Sequence, residues 1–316
     1  MTQSLLVALP CHLGDFDQAE SLMKWMIELG PMREHNLLLS ADGEVPPERV
    51  KALLDVARPH FNSVVAMIVQ TGIKGWPAAA NLMFRATARQ IWDRYKLPWL
   101  WLEPDAVPLR EGWLDAIGEA YQRSPRPVLG HILDAERHID GLPDRYVAGV
   151  AVYPQDLFAI LSKQWTNPMF TGPTKPNPKL SMEQRALNVR AWDMVFSETL
   201  VPRAHNTPLI QHWWGTEYGM APKFVTLRTE ADPVNAVTLD LVRKEAVLFH
   251  RVKDLAGFLA LWRTRLEYQK AVLVDSIRQP GESSAAIDKA LGPTISAPKR
   301  KGNPNWRKKE PELATA

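Results

Sequence analysis

The chain has 316 residues, 46% hydrophobic and 23% charged, which fits a globular protein with an ample core and excludes a disordered or fibrous chain. A single cysteine, Cys11, excludes a disulfide framework and a thiolate metal cluster. The net charge of +3 hides an asymmetry: residues 296–316 sum to +4, so the preceding body sums to −1.

No apolar run reaches the roughly 18 residues of a membrane helix. Met1-Thr2-Gln3-Ser4 lacks the basic segment of a secretory leader. No membrane span is expected, and the expected compartment is the cytoplasm.

The first third alternates short apolar runs with helical patterns, which predicts a mostly parallel α/β sheet. Leu5–Leu9 reads as a buried strand ended by Pro10. Phe16, Ala19, Leu22, Met23, Met26 and Ile27 then recur at helical spacing, with Asp15 as N-cap and Gly30 as C-terminal stop. Asn36–Ala41 is a second strand, Pro46–Arg58 a helix and Ser63–Val69 a third strand. After the loop Thr71–Trp76, a long helix runs from Pro77 to about Tyr95, since proline suits a first turn. Trp99–Leu102 is a fourth, fully apolar strand that runs into Glu103-Pro104-Asp105.

Beyond it, Glu111–Arg123 reads as a helix, and Pro127–His131 and Tyr146–Tyr153 as strands. Residues 166–180 read as a proline-rich loop, and Glu183–Leu200 as a helix carrying Trp192-Asp193. Val247–Phe249 is a last strand before His250, and Leu255–Ile277 an amphipathic helix. After Pro280 the composition cannot bury a core. The expected organisation is one α/β domain over residues 1–280, with halves 1–115 and 116–280, followed by a flexible basic tail over 281–316.

The common phosphate loops and hydrolase motifs are absent, so chemistry must come from carboxylates and loops at strand ends, where open α/β sheets place ligands. Glu103 and Asp105 leave a buried strand two residues apart. Pro104 keeps Glu103 out of the helical region, so both carboxylates can face one side and hold a divalent cation. Solvated strand-end acids are the plainer alternative. Asp15 and Asp42 each follow a strand on the same edge, where they suit a nucleoside or simply cap the next helix. His250 could complete a metal site and Lys253 could meet phosphate. Asp193 could serve as a general base. Among twelve tryptophans, Trp76, Trp165, Trp192, Trp213 and Trp214 fall in or near loops and could stack on sugars or bases, whereas Trp99 and Trp101 belong in the core.

Together these segments resemble a GT-A fold (Rossmann-like) glycosyltransferase that uses nucleotide sugars, family-2-like and similar to bacteriophage glycosyltransferases. The resemblance is carried by Leu9-Pro10 with Asp15, by Ser40-Ala41-Asp42, by Trp76-Pro77-Ala78-Ala79-Ala80-Asn81, and by Glu103-Pro104-Asp105-Ala106-Val107-Pro108 with Gly112-Trp113-Leu114. It extends through Tyr146–Tyr153, Trp192-Asp193 and Phe249-His250, over residues 4–255. It implies transfer of a sugar from a nucleoside-diphosphate sugar, a UDP-sugar by preference, to a hydroxyl acceptor. Pro10, Asp15, Asp42, Trp76, Asn81, Glu103 and Lys253 would hold the nucleotide sugar. Asp105 and His250 would bind Mn²⁺ or Mg²⁺, and Asp193 would activate the acceptor. Two departures stand out: Glu103 replaces the usual first aspartate, and no second acid precedes Asp193.

The tail carries Lys299, Arg300, Lys301, Arg307, Lys308 and Lys309 around Trp306, a pattern suited to nucleic acid. With the bacteriophage likeness, this raises a hydroxymethylated pyrimidine in DNA as acceptor, in the host cytoplasm. A glycan acceptor, a sugar-phosphate nucleotidyltransferase and a non-catalytic sugar- or nucleic-acid-binding module are the alternatives.

Overall fold

In chain order the elements are β1 (Leu6–Cys11), α1 (Phe16–Glu28), β2 (Met32–Asp42), α2 (Pro47–Ala57), β3 (Phe61–Val69), α3 (Ala78–Gln90), β4 (Trp99–Trp101), β5 (Ala106–Pro108) and α4 (Trp113–Gln122). There follow β6 (Val128–Asp134), β7 (Arg145–Tyr153), α5 (Leu157–Ile160), α6 (Pro168–Thr171), α7 (Trp192–Val195), α8 (Ser197–Leu200), β8 (Ala204–Asn206), β9 (Ile210–His212), β10 (Leu248–His250) and α9 (Leu255–Arg278). The computed structural model describes residues 3–72, 75–134, 143–171, 189–212, 239 and 242–278.

The main sheet has seven strands in the order β3-β2-β1-β4-β7-β6-β8, and β7 alone runs against the others. This is the mostly parallel α/β sheet expected. A second sheet, β5-β10-β9, pairs β10 antiparallel to β5 and parallel to β9. β1 shows why the central strand is apolar throughout. Its alternate residues Val7 and Leu9 face one buried layer while Leu6 and Ala8 face the other, as a pleat covered on both sides requires. The first layer includes Phe16, Leu22, Met26, Leu53, Trp113 and Phe258 from α1, α2, α4 and α9.

The second layer is aromatic. Phe84 of α3 stacks on Trp192 at 3.6 Å between centroids with planes 6° apart, and lies 5.2–5.6 Å from Trp99, Trp101 and Tyr153. Phe84→Ala should therefore cost about 3–5 kcal/mol through lost burial and a residual cavity. Chemical denaturation measures this; a loss under 1 kcal/mol would mean that the layer collapses around the gap.

Several local expectations change. No continuous helix covers residues 189–200: Phe196 sits at φ −96°, ψ 6° and separates two short turns, α7 and α8. Residues 183–188 lie outside the described residues. Its apolar positions suit two buried turns as well as one helix, because Trp192, Phe196 and Leu200 all enter the aromatic layer. The Asp15 side chain does not cap α1. It turns back to accept the His12 N–H at 2.7 Å and closes the turn Leu13–Asp15. Strands β5, β8 and β9, three residues each, had no periodicity to reveal them.

The chain divides into two units, residues 1–266 and 267–316. Of the second, residues 267–278 are described, as the end of α9. Among the described residues no helix is long and apolar enough to cross a membrane.

Candidate active site

β1, β2, β3 and β4 all end on one edge of the sheet, and a pocket of about 600 Å³ opens there. That size suits a small-molecule ligand. Pro10 lines it from β1, Asp15 from beyond β1, Asp42 from β2, Gln70 and Thr71 from beyond β3, Trp76 from the loop before α3, and Glu103, Asp105 and Lys253 from the floor.

Glu103 and Asp105 do face one side, and the second sheet shows what they face. β10 is clamped to β5 in a register that sets His250 opposite Ala106, and the Arg251 and Val252 N–H groups both donate to the Asp105 carbonyl, at 3.0 and 2.9 Å. His250 Nε2 thereby lies 3.0 Å from Glu103 Oε2 and 3.2 Å from Asp105 Oδ1. The Lys253 ammonium donates to Asp105 Oδ2 at 2.7 Å. Asp105 is buried rather than at an open strand end.

The electrostatics follow from that packing. Burial alone would raise the Asp105 carboxyl, but the His250 and Lys253 charges override it and hold it well below the usual carboxylate range. Burial alone would lower His250, yet Asp105 and then Glu103 push it up to about 9. The acids are held together by a protonated imidazole and an ammonium, which occupy the electrostatic role a divalent cation would take.

The donor set fits such a cation. One ligand atom from each of Glu103, Asp105 and His250 lies within 4.8 Å of the others. Asp105 Oδ1 and His250 Nδ1 are buried without a hydrogen-bond partner. Two carboxylates and an imidazole suit Mn²⁺ or Mg²⁺.

Asp193 does not line the pocket; its carboxylate lies behind the pocket-lining Glu103, across Gly149. A methyl group built on Gly149 of β7 would lie 3.0 Å from Glu103 Oε1, 3.4 Å from the Trp192 ring and 3.9 Å from Asp193 Oδ2. The missing side chain at Gly149 lets these groups converge. Burial, then the charge of Glu103, push the Asp193 carboxyl up to about 7.

Asp42 is held by the Thr71 hydroxyl, which donates to Oδ2 at 2.6 Å, and by the Glu44 N–H, which donates to Oδ1 at 2.9 Å. Trp76 is 75% exposed at the pocket wall, as a stacking platform would be. Trp165 and Trp192, by contrast, belong to the buried aromatic layer. Asn81 is fully buried behind the pocket, and its amide is committed to protein backbone. Trp213, Trp214 and the tail residues Lys299, Arg300, Lys301, Trp306, Arg307, Lys308 and Lys309 lie outside the described residues.

Two groups at the site escaped the sequence. Arg251 adopts φ 80°, in the left-handed region that non-glycine residues seldom occupy. Burial lowers its guanidinium, against the opposing pull of Asp105, Tyr146, Glu103 and Asp193. Its place directly after His250 was the available signal. His212 pairs with His250 across β9 and β10, with rings 4.7 Å apart, and burial holds it neutral.

No protein-family model and no curated protein matches the chain. Similar solved structures include galactosyltransferase LgtC in complex with donor and acceptor sugar analogues, 11% identical over 78% of this chain and 86% of that one, with a TM-score of 0.47. Mouse xyloside xylosyltransferase 1 is 12% identical over 80% of this chain and 99% of that one, with a TM-score of 0.44. The glycosyltransferase GlyE of Streptococcus pneumoniae TIGR4 is 10% identical, with a TM-score of 0.44; 78% of this chain aligns with 54% of GlyE, about half its length.

Proposed function

We propose that this protein is a metal-dependent glycosyltransferase that moves a sugar from a nucleoside-diphosphate sugar, a UDP-sugar by preference, to a hydroxyl acceptor. The observation that carries this is the convergence of Glu103, Asp105 and His250, with Lys253 beside them, where Glu103, Asp105 and Lys253 line a pocket at the sheet's carboxyl edge.

Asp105, His250 and Glu103 would hold the cation. Bound there, it would neutralise charge developing on the departing diphosphate. Lys253, half-exposed over Asp105, adds a cation facing the same phosphates. Asp15 and Asp42 line the part of the pocket assigned to the nucleoside, and Trp76 offers a face for the base or sugar ring. Asp193, with its carboxyl near neutrality, takes the proton from the acceptor hydroxyl. A thermal-shift screen of nucleotide sugars with and without Mn²⁺ tests the assignment. A shift requiring both components is expected; none with any sugar nucleotide would contradict it.

Trp76→Ala should weaken donor binding by about 1–3 kcal/mol, the usual worth of one stacked base, and leave the melting temperature unchanged because the ring is exposed. Calorimetry with UDP and Mn²⁺ measures this, and unchanged affinity would remove Trp76 from the site.

The acceptor proposed is a hydroxymethylated pyrimidine in DNA, supported by the basic tail around Trp306. Transfer assays on such DNA, with the full chain and with a chain ending at Pro293, test it. Absence of DNA binding by both at low salt would favour a glycan or small-molecule acceptor.

A further inference from the structure

We infer that Asn81 is a positioning residue for Asp193: it sets the base without touching donor or acceptor. The inference rests on the role proposed above for Asp193.

Asn81 has no exposed surface. Its Nδ2 donates to the Phe170 carbonyl at 2.9 Å and to the Arg190 carbonyl at 2.8 Å, and its Oδ1 accepts the Trp192 N–H at 2.9 Å. Both donors of the amide are used, so the side chain keeps none for a ligand. Ala79 and Ala80, its neighbours on α3, line the pocket, and Asn81 lies behind them.

The third bond acts on the site. Trp192 opens the turn α7, whose first N–H groups need partners from outside the turn. Ala191, at its N-cap, has no side chain able to supply one, and Asn81 caps the turn from α3 instead. One turn further along α3, Phe84 stacks on the Trp192 ring at 3.6 Å. Trp192 is thus gripped by its backbone and its ring from a single helix. Asp193 is the next residue, and its Oδ2 and Glu103 Oε1 both border the space above Gly149. With the bond from Asn81 released, the Trp192 N–H loses its partner while the ring stays packed on Phe84 and Tyr153, so α7 can tilt about the ring and carry Asp193 out of line.

The test uses the full chain with Asn81→Leu and Asn81→Asp. Leucine removes all three bonds. Aspartate keeps the acceptor for Trp192 and, when protonated, one donor, so it preserves folding if leucine does not. Each is compared with Asp193→Asn and with the double variants, by calorimetric binding of UDP with Mn²⁺ and by hydrolysis of the UDP-sugar that gives the largest thermal shift. We expect UDP affinity within about twofold of wild type and turnover down about 100-fold, the usual effect of a misplaced catalytic group. Adding either Asn81 change to Asp193→Asn should cost nothing further, because the group being positioned is already gone. A further multiplicative loss in the double variants, or a tenfold loss of UDP affinity in the Asn81 variants, would overturn the inference while leaving Asp193 as the base. Wild-type turnover in Asp193→Asn would instead remove the base itself, and the inference with it.

Discussion

Asp105→Asn is expected to lower turnover by at least about 10³-fold, because it removes both the proposed cation ligand and the charge that fixes Lys253 and His250. The substitution keeps the shape, so the sheet should persist. A fold cost of about 1–3 kcal/mol should accompany it, since the residue is buried and leaves charged partners behind. The pH dependence separates fold from chemistry. The Asp105 carboxyl is held below its usual range, so its contribution to stability is complete above the unfolded value near 4 and falls away as pH drops. His250 is raised to about 9, so its contribution is complete below the unfolded value of about 6.5 and is lost as pH rises towards 9. Denaturant titrations in EDTA should therefore show highest stability for this pair between about pH 4 and 6.5, with both limbs flattened in Asp105→Asn. Unchanged turnover in that variant would take Asp105 out of the mechanism.

Asp193→Asn should lower kcat by about 10²–10⁴-fold and leave the donor KM within a factor of two, the signature of a lost general base. A base works deprotonated. Its carboxyl is pushed up to about 7, so kcat in the wild type should rise with pH through a limb at or somewhat below 7 once a cation offsets the charge of Glu103. The variant should lose that limb. A pH profile of kcat for both proteins checks this, and an identical limb in each would assign it to another group.

The fold was legible where periodicity was strong. The apolar runs at Leu5–Leu9, Asn36–Ala41, Ser63–Val69 and Trp99–Leu102 became β1 to β4, and the acids following them share the edge that the alternation implied. The convergence of His250 on Glu103 and Asp105, 147 and 145 residues away, depends on a three-residue strand pairing with β5, which carries too few residues to show a period. Arg251 was hidden for a related reason, since its backbone conformation is imposed by the two N–H groups that reach the Asp105 carbonyl. Asn81 illustrates the opposite case. A polar residue in a small-residue segment reads as a ligand, and only the tertiary contacts at Phe170, Arg190 and Trp192 show where its hydrogen bonds go. Asp193 was visible as a residue, but its surroundings required Gly149 and the break at Phe196.

Glu103, Asp105 and His250 are proposed to hold a divalent cation that joins the protein to a nucleoside diphosphate. Calorimetric titration of UDP into the full chain, once with Mn²⁺ and once with excess EDTA, tests it most directly. Binding with Mn²⁺ that weakens at least tenfold in EDTA, and that Asp105→Asn abolishes, is the predicted result. Equal affinity in both buffers, or no binding in either, would contradict it.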